Sequence, residues 1–89
     1  MGGFTSAQNP NGGKETTIVS MNNVFMHWGA IIVPPGYTDP VLFEAGGNPY
    51  GASSTDAEDG PSEAELAAAR YQGRRIAEKA AALTVVRAA

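Results

Sequence analysis

The residues of this chain best suited to hold a ligand lie in its first fourteen positions. Residues 2–13 include four glycines, one proline and several amide and hydroxyl side chains. Glycine allows positive φ and leaves the backbone N–H groups uncovered, so such a segment can donate hydrogen bonds to a bound molecule. A flexible connection is the plainer interpretation, because one Gly-Gly pair is not a phosphate-binding motif.

The single histidine, His27, is the second candidate, because imidazole donates and accepts hydrogen bonds near neutral pH. It lies near the end of a helix predicted over residues 15–28, which Gly29 ends. The apolar stripe of this helix is expected at Ile18, Met21, Phe25 and Trp28. Without further information, a histidine at a helix end is more often a C-terminal cap that the helix dipole favours than a residue that contacts a ligand.

Composition excludes several classes of function. The net charge is −3 and the few basic residues are not clustered, so nucleic acid is not an expected partner. The absence of cysteine and the single histidine exclude thiolate and multi-histidine metal sites. The longest apolar runs, such as residues 30–33, have four residues and are too short to cross a bilayer. We expect a cytoplasmic protein with no resident metal and no membrane contact.

Two further elements are predicted. Residues 30–33, Ala-Ile-Ile-Val, have the pattern of a strand covered on both faces, as in a parallel sheet. Residues 34–61 form a long insertion loop, and a helix follows over residues 62–85, where Ser62 and Glu65 match a capping box. Its inward stripe is expected at Leu66, Ala69, Gly73, Ile76, Ala80 and Leu83.

These elements alternate as in an α/β protein, but they do not complete a sheet. Residues 30–33 are the one clear strand, with a strand end at Gly3 and Phe4 and a third segment near residues 50–53 left open. Buried strand edges without partners cost free energy that two helices do not recover. We therefore expect the 89 residues to be part of a larger fold.

The chain resembles the C-terminal part of the WrbA-type NAD(P)H:quinone oxidoreductases, flavoproteins with a flavodoxin-like fold. The resemblance covers essentially the whole chain. It depends on the order and spacing of Phe4-Thr5-Ser6, Gly12-Gly13-Lys14-Glu15-Thr16-Thr17, His27-x-Gly29, Ile31-Ile32-Val33-Pro34, Gly36-Tyr37, Gly46-Gly47-Asn48-Pro49-Tyr50-Gly51-Ala52 and Pro61-Ser62-x-x-Glu65-Leu66-x-x-Ala69-Arg70-Tyr71-Gln72-Gly73.

The resemblance implies a doubly wound parallel sheet of the α/β class. The chain would supply the end of the fourth strand near Phe4, the fourth helix, the fifth strand with its inserted loop and the last helix. Residues 1–14 would form the loop that contacts the flavin ring of FMN, at the carboxyl ends of the strands. The implied cofactor contacts are Thr5, Ser6, Ala7, Gln8, Asn9, Asn11, Gly12 and His27. His27 is the implied catalytic contact to the ring or to the quinone.

The implied activity is hydride transfer from NAD(P)H to FMN, followed by two-electron reduction of a quinone to a hydroquinone. Family members are tetramers whose sites combine residues of several protomers. The N-terminal FMN-phosphate loop of the family is missing from these residues, so the isolated chain is expected to be inactive. The alternative is a small non-enzymatic module that docks on a partner through its alanine-rich last helix.

Overall fold

The structure, a computed structural model, describes residues 1–55 and 60–88 as an α/β unit. Along the chain the elements are β1 (Thr5–Ala7), α1 (Lys14–His27), α2 (Val41–Glu44), β2 (Ser53–Thr55) and α3 (Glu63–Ala88). The α/β class is confirmed, and both long helices lie within a few residues of their predicted bounds. None of the helices in these ranges is both long and apolar enough to span a bilayer.

The sheet consists of two parallel strands within the described residues. β1 pairs with β2 in the register Thr5↔Ser53, Ser6↔Ser54 and Ala7↔Thr55. This small parallel sheet is compatible with a portion of a doubly wound fold. The expected cofactor contacts Thr5, Ser6 and Ala7 form β1. These three residues are therefore strand and not loop.

The strand predicted at residues 30–33 is not formed, and the second strand lies inside the predicted insertion loop. The physical reason is that, within the described residues, the backbone of residues 31–33 pairs with Met1 alone. The Met1 N–H donates to Ile31 and the Val33 N–H donates to the Met1 carbonyl, at 2.9 and 2.8 Å. This is the hydrogen-bond pattern of one parallel bridge, and one bridge does not make a ladder.

The side chain of Gln72 on α3 replaces a hydrogen bond between the two strand segments. Its Nε2 donates to the Gly3 carbonyl at 2.9 Å, and its Oε1 accepts from the Ala52 N–H. In a continuous parallel ladder of this register, the Ala52 N–H would donate directly to Gly3. Gln72 is only 5% exposed, so its carboxamide satisfies two backbone groups that water does not reach.

The insertion between Val33 and Ala52 closes on itself. The Gly36 N–H donates to the Pro49 carbonyl at 2.9 Å, which joins the two ends of the insertion. The rings of Tyr37 and Phe43 stack with centroids 4.8 Å apart, and both side chains are exposed. The insertion is therefore a folded excursion from the sheet that carries α2, and it is not a structureless loop.

The core is small and lies between the sheet and the helices. The most completely buried side chains are Ile18 of α1, Leu42 of α2 and Pro35. Ala68 and Gln72 face inward from α3, whereas most of the stripe predicted for this helix is exposed. The predicted stripe was wrong because α3 itself carries alanines on all of its faces. Apolar periodicity therefore does not identify the face that packs. Trp28 is also exposed.

Candidate cofactor-binding edge

The loop at residues 8–13, which we call the edge loop, begins where the parallel strands end. β1 ends at Ala7 and β2 ends at its register partner Thr55, so the loop leaves the carboxyl edge of the sheet. α1 begins directly after it, at Lys14. Open α/β folds bind ligands outside the carboxyl ends of their strands. The arrangement therefore places the edge loop where a ligand of such a fold is held.

Hydrogen bonds within the loop set its shape. The Asn11 N–H donates to Oδ1 of Asn9 at 2.8 Å, and the Gly12 N–H donates to the Asn9 carbonyl at 2.9 Å. Asn9 therefore organises the turn, while the side chains of Gln8 and Asn11 are exposed. A Cβ at position 12 would lie 2.6 Å from Cβ of Ala7 and 2.9 Å from the Asn9 carbonyl oxygen. The turn requires glycine there.

Three side chains join the start of α1, directly after the edge loop, to the end of β2 and the start of α3. Nζ of Lys14 donates to Oγ1 of Thr55 at 2.8 Å. The Thr55 N–H donates to Oε2 of Glu65 at 2.9 Å, and Oε1 of Glu65 accepts from the Ser62 N–H at 2.7 Å. Ser62 Oγ in turn accepts from the Glu65 N–H at 3.1 Å, which confirms the predicted capping box.

Glu65 is held in its ionised form by these contacts. Partial burial raises the pKa of Glu65, but hydrogen bonds from the Ser62 and Thr55 amides oppose it, and the charge of Lys14 adds to them. The net effect lowers the pKa of Glu65 below its ordinary value of 4.5. The carboxylate consequently stays charged through the neutral pH range.

Two open grooves flank the sheet near this edge. A groove of about 460 Å³ lies between the edge loop, the start of α1, the turn at residues 45–48 and β2, and Asn11 and Lys14 belong to its lining. A second groove of about 620 Å³ lies between the sheet and α3 and includes Phe4, Thr5 and Ser6. Among the expected contacts, Thr5 and Ser6 line the larger groove and Asn11 lines the smaller one. The linings of these two grooves do not include Ala7, Gln8, Asn9 or Gly12.

His27 does not join the other expected contacts. It is the last residue of α1, and the thirteen steps from Lys14 correspond to about 20 Å along the helix axis. Its neighbours in a shallow, open depression are Asn23 and Met26. Within one copy of the described chain, His27 and the edge loop therefore lie at opposite ends of the same helix.

Sequence reasoning did not identify Lys14, Thr55 and Gln72 as organisers of this edge. Lys14 and Thr55 are 41 residues apart, and no local pattern joins them. The hydroxyl of Thr55 also lies in a segment that was predicted to be loop. Glu65 was identified, but only as a helix cap. In the part of the chain that the structure covers, no three histidine, cysteine or acidic residues gather as a metal site.

Comparison with curated proteins finds relatives that share one name. Over 80 residues the chain is 53% identical to an NAD(P)H dehydrogenase (quinone) of Deinococcus radiodurans, and the match covers 90% of this chain and 40% of that protein. It is 45% identical to a protein of the same name from Chromohalobacter salexigens, over 92% of this chain and 44% of that protein. A third, from Trichlorobacter lovleyi, is 44% identical over 91% of this chain and 43% of its own length.

No protein-family model matches the chain. The chain spans about two fifths of the length of the curated relatives that it matches. Those relatives nevertheless align with nearly all of it, at 44–53% identity. The resemblance found in the sequence is thereby confirmed. This chain belongs to the family of the NAD(P)H dehydrogenase (quinone) proteins and corresponds to a portion of them.

Proposed function

We propose that the chain is part of an FMN-dependent NAD(P)H:quinone oxidoreductase and that its edge loop forms one wall of the flavin site. The observation that carries the proposal is the position of this loop at the shared carboxyl edge of β1 and β2. The names of the relatives support the use of NAD(P)H and a quinone. FMN, the two-electron product and a cytoplasmic homotetramer belong to the proposal through the family resemblance.

The residues of the edge loop fit the edge of a flavin ring. The side chains of Gln8 and Asn11 are exposed and offer both donors and acceptors, as the carbonyl and N–H groups of the ring require. Gly12 keeps the backbone free of a side chain where the loop folds against Ala7. We limit the proposed fit to the ring and do not extend it to the phosphate, because Lys14, the basic residue that follows the loop, already binds Thr55 through its amine.

Bound FMN would accept a hydride from NAD(P)H and pass two electrons to a quinone. The chain's own part would be to orient the ring: Gln8 and Asn11 by hydrogen bonds, and Asn9 by holding the turn. His27 lies too far from the edge loop to contact the same ring from the same copy. In our proposal it contacts a ring or quinone held by another protomer of the tetramer.

The isolated chain would bind FMN weakly and would not reduce quinones. One wall of a pocket supplies few of the contacts that fix a ligand, and each missing contact lowers the affinity. Full binding would require the three fifths of the relatives' length that the match does not cover, given that it covers 40% of the Deinococcus radiodurans protein.

The test is an FMN titration followed by flavin fluorescence. The chain is titrated alone and after mixing with the unmatched part of the Deinococcus radiodurans relative, produced separately. We expect strong quenching and NADH- or NADPH-dependent quinone reduction only in the mixture. Tight stoichiometric binding by the chain alone would contradict the proposal of one wall. A mixture that forms a complex yet neither binds FMN nor reduces a quinone would contradict the proposed activity.

A pair of glycine substitutions locates the contribution of the edge loop. In Gly12→Ala the new methyl group would collide with Ala7 and Asn9, so we expect weaker FMN binding by the mixture. Gly73→Ala is the control, because a Cβ at position 73 would meet no described atom within 4 Å apart from the neighbouring backbone of its own helix. Equal FMN affinity in the two variants would show that the loop does not shape the flavin site.

A further inference from the structure

The two residues that flank the edge loop, Ala7 and Lys14, both lie beside Thr55. Ala7, directly before the loop, is the register partner of Thr55 in the sheet. Lys14, directly after it, donates from Nζ to Oγ1 of Thr55 at 2.8 Å. A six-residue loop whose flanking residues are both held against the end of β2 has little freedom to change its span.

Thr55 is itself fixed from the opposite side. Its N–H donates to Oε2 of Glu65 at 2.9 Å, while the other carboxylate oxygen is bound at the start of α3. The attachment therefore runs from the start of α1 through Thr55 to the start of α3. The side chains of Lys14, Thr55 and Glu65 are all partly shielded from water. This shielding strengthens hydrogen bonds that involve charged groups.

The loop's internal hydrogen bonds do not supply this attachment. They join Asn9 to Asn11 and Gly12 within the turn, and they leave the separation of Ala7 and Lys14 open. Pro10 contributes no N–H donor to the turn. The hydrogen bond between Lys14 and Thr55 thus relates the two ends of the loop through side chains that are 41 residues apart in the sequence.

We propose that Thr55 is a positioning residue: its hydroxyl, together with Lys14, holds the edge loop in the shape that presents Gln8 and Asn11 at the carboxyl edge of the sheet. The consequence for flavin binding rests on the proposed function above. The consequence for the loop itself does not, since it concerns only hydrogen bonds within this chain. Thr55 acts through Lys14 and touches no ligand in this proposal.

The experiment measures amide hydrogen exchange of the 89-residue chain by NMR, residue by residue. Thr55→Val removes the hydroxyl and keeps the branched shape that suits a strand. We expect the exchange rates of the Asn11 and Gly12 amides to rise about threefold to tenfold, which corresponds to the loss of one hydrogen bond. Thr55→Ser, which keeps the hydroxyl, should restore the rates of the unmodified chain.

Two further variants separate positioning from general destabilisation. Lys14→Met should raise the loop exchange rates as Thr55→Val does. The double variant should raise them no further, because each change removes the same hydrogen bond. Thr38→Val is the matched control, since the Thr38 hydroxyl binds Pro35 of the insertion and Tyr71 of α3, away from the edge loop. Unchanged loop rates in Thr55→Val, or rates that rise equally at Ala68 and Gln72 of α3, would overturn the proposal.

FMN titration of the same variants, in the mixture described above, distinguishes this inference from the proposed function. Weaker FMN binding by Thr55→Val, with rescue by Thr55→Ser, supports both. Faster loop exchange with unchanged FMN affinity supports the positioning role and counts against the loop as a flavin wall. Unchanged exchange overturns the positioning role whatever the FMN affinity is.

Discussion

At the residue scale, the Glu65 carboxylate has two roles, and the sequence pattern identifies only one of them. Its spacing from Ser62 identifies a helix cap, and the structure adds a second bond, from the Thr55 N–H at the end of β2. One carboxylate thus joins a strand end to a helix start. A local motif reveals the first partner because that partner is three residues away, but not the second, which reaches the carboxylate through the fold.

We expect Glu65 to make the stability of the chain depend on pH. Its folded-state pKa lies below the ordinary value of 4.5, so its contribution is fully present above that value. The contribution is lost as pH falls through the lower, folded-state pKa. Glu65→Gln should remove this part of the acid sensitivity and lower the unfolding free energy at pH 7 by about 1–2 kcal/mol.

Urea unfolding of both proteins at a series of pH values between 7 and about 3 checks this expectation. Glu63→Gln is the matched control, because its contact with Arg70 is 3.8 Å long and both side chains are largely exposed. We expect it to change stability by less than about 0.5 kcal/mol. If Glu65→Gln and the unmodified chain lost stability in parallel as pH falls, the assigned role of the carboxylate would be wrong.

At the element scale, helices were easier to predict from the sequence than strands. The stop at Gly29 and the Ser62–Glu65 cap are local signals, and both long helices were found. The strands depend on pairing across tens of residues. β2 is three residues of serine and threonine with no apolar alternation, so only its partner β1 makes it a strand.

For the same reason, the sequence could not show that the second strand lies at Ser53–Thr55 and not at residues 30–33. The insertion leaves after Val33 and returns at Ala52, and the place where the sheet pairing is interrupted is filled by Gln72 from α3. A glutamine within an alanine-rich helix gives no sign of this role. It was placed outside the inward stripe, and the structure buries it.

Gln72→Leu should therefore be strongly destabilising although leucine is a good helix former. The substitution leaves the Gly3 carbonyl and the Ala52 N–H buried without partners, and each costs about 1–3 kcal/mol. Thermal unfolding followed by circular dichroism measures the effect. Arg74→Leu, an exposed change on the same helix, is the control and should shift the midpoint little. Similar midpoints for the two variants would contradict the bridging role.

At the scale of the whole molecule, the family and the α/β class were accessible from the sequence, whereas the packing of α3 was not. The described chain leaves apolar side chains on both sides of this helix open. Phe4, which is 79% exposed, and Leu66 lie along the groove beside β1, and Ile31 and Leu83 lie along another. Periodicity alone cannot rank such faces, because the partner of each face decides which is buried.

The groove that contains Phe4 predicts how the chain recombines with the remainder of the family's fold. Burying a phenylalanine contributes about 1.5–3 kcal/mol, so replacing it by a charged residue should weaken recombination at least about tenfold. Phe4→Glu should accordingly reduce binding to the unmatched part of the Deinococcus radiodurans relative, measured by isothermal titration calorimetry. The stability of the free chain should change little, since Phe4 is already exposed. Val24→Glu on α1, where Val24 is 48% exposed and does not line the groove beside β1, is the control. Recombination that is equally strong with Phe4→Glu and Val24→Glu would show that the groove beside β1 is not where the two polypeptides meet.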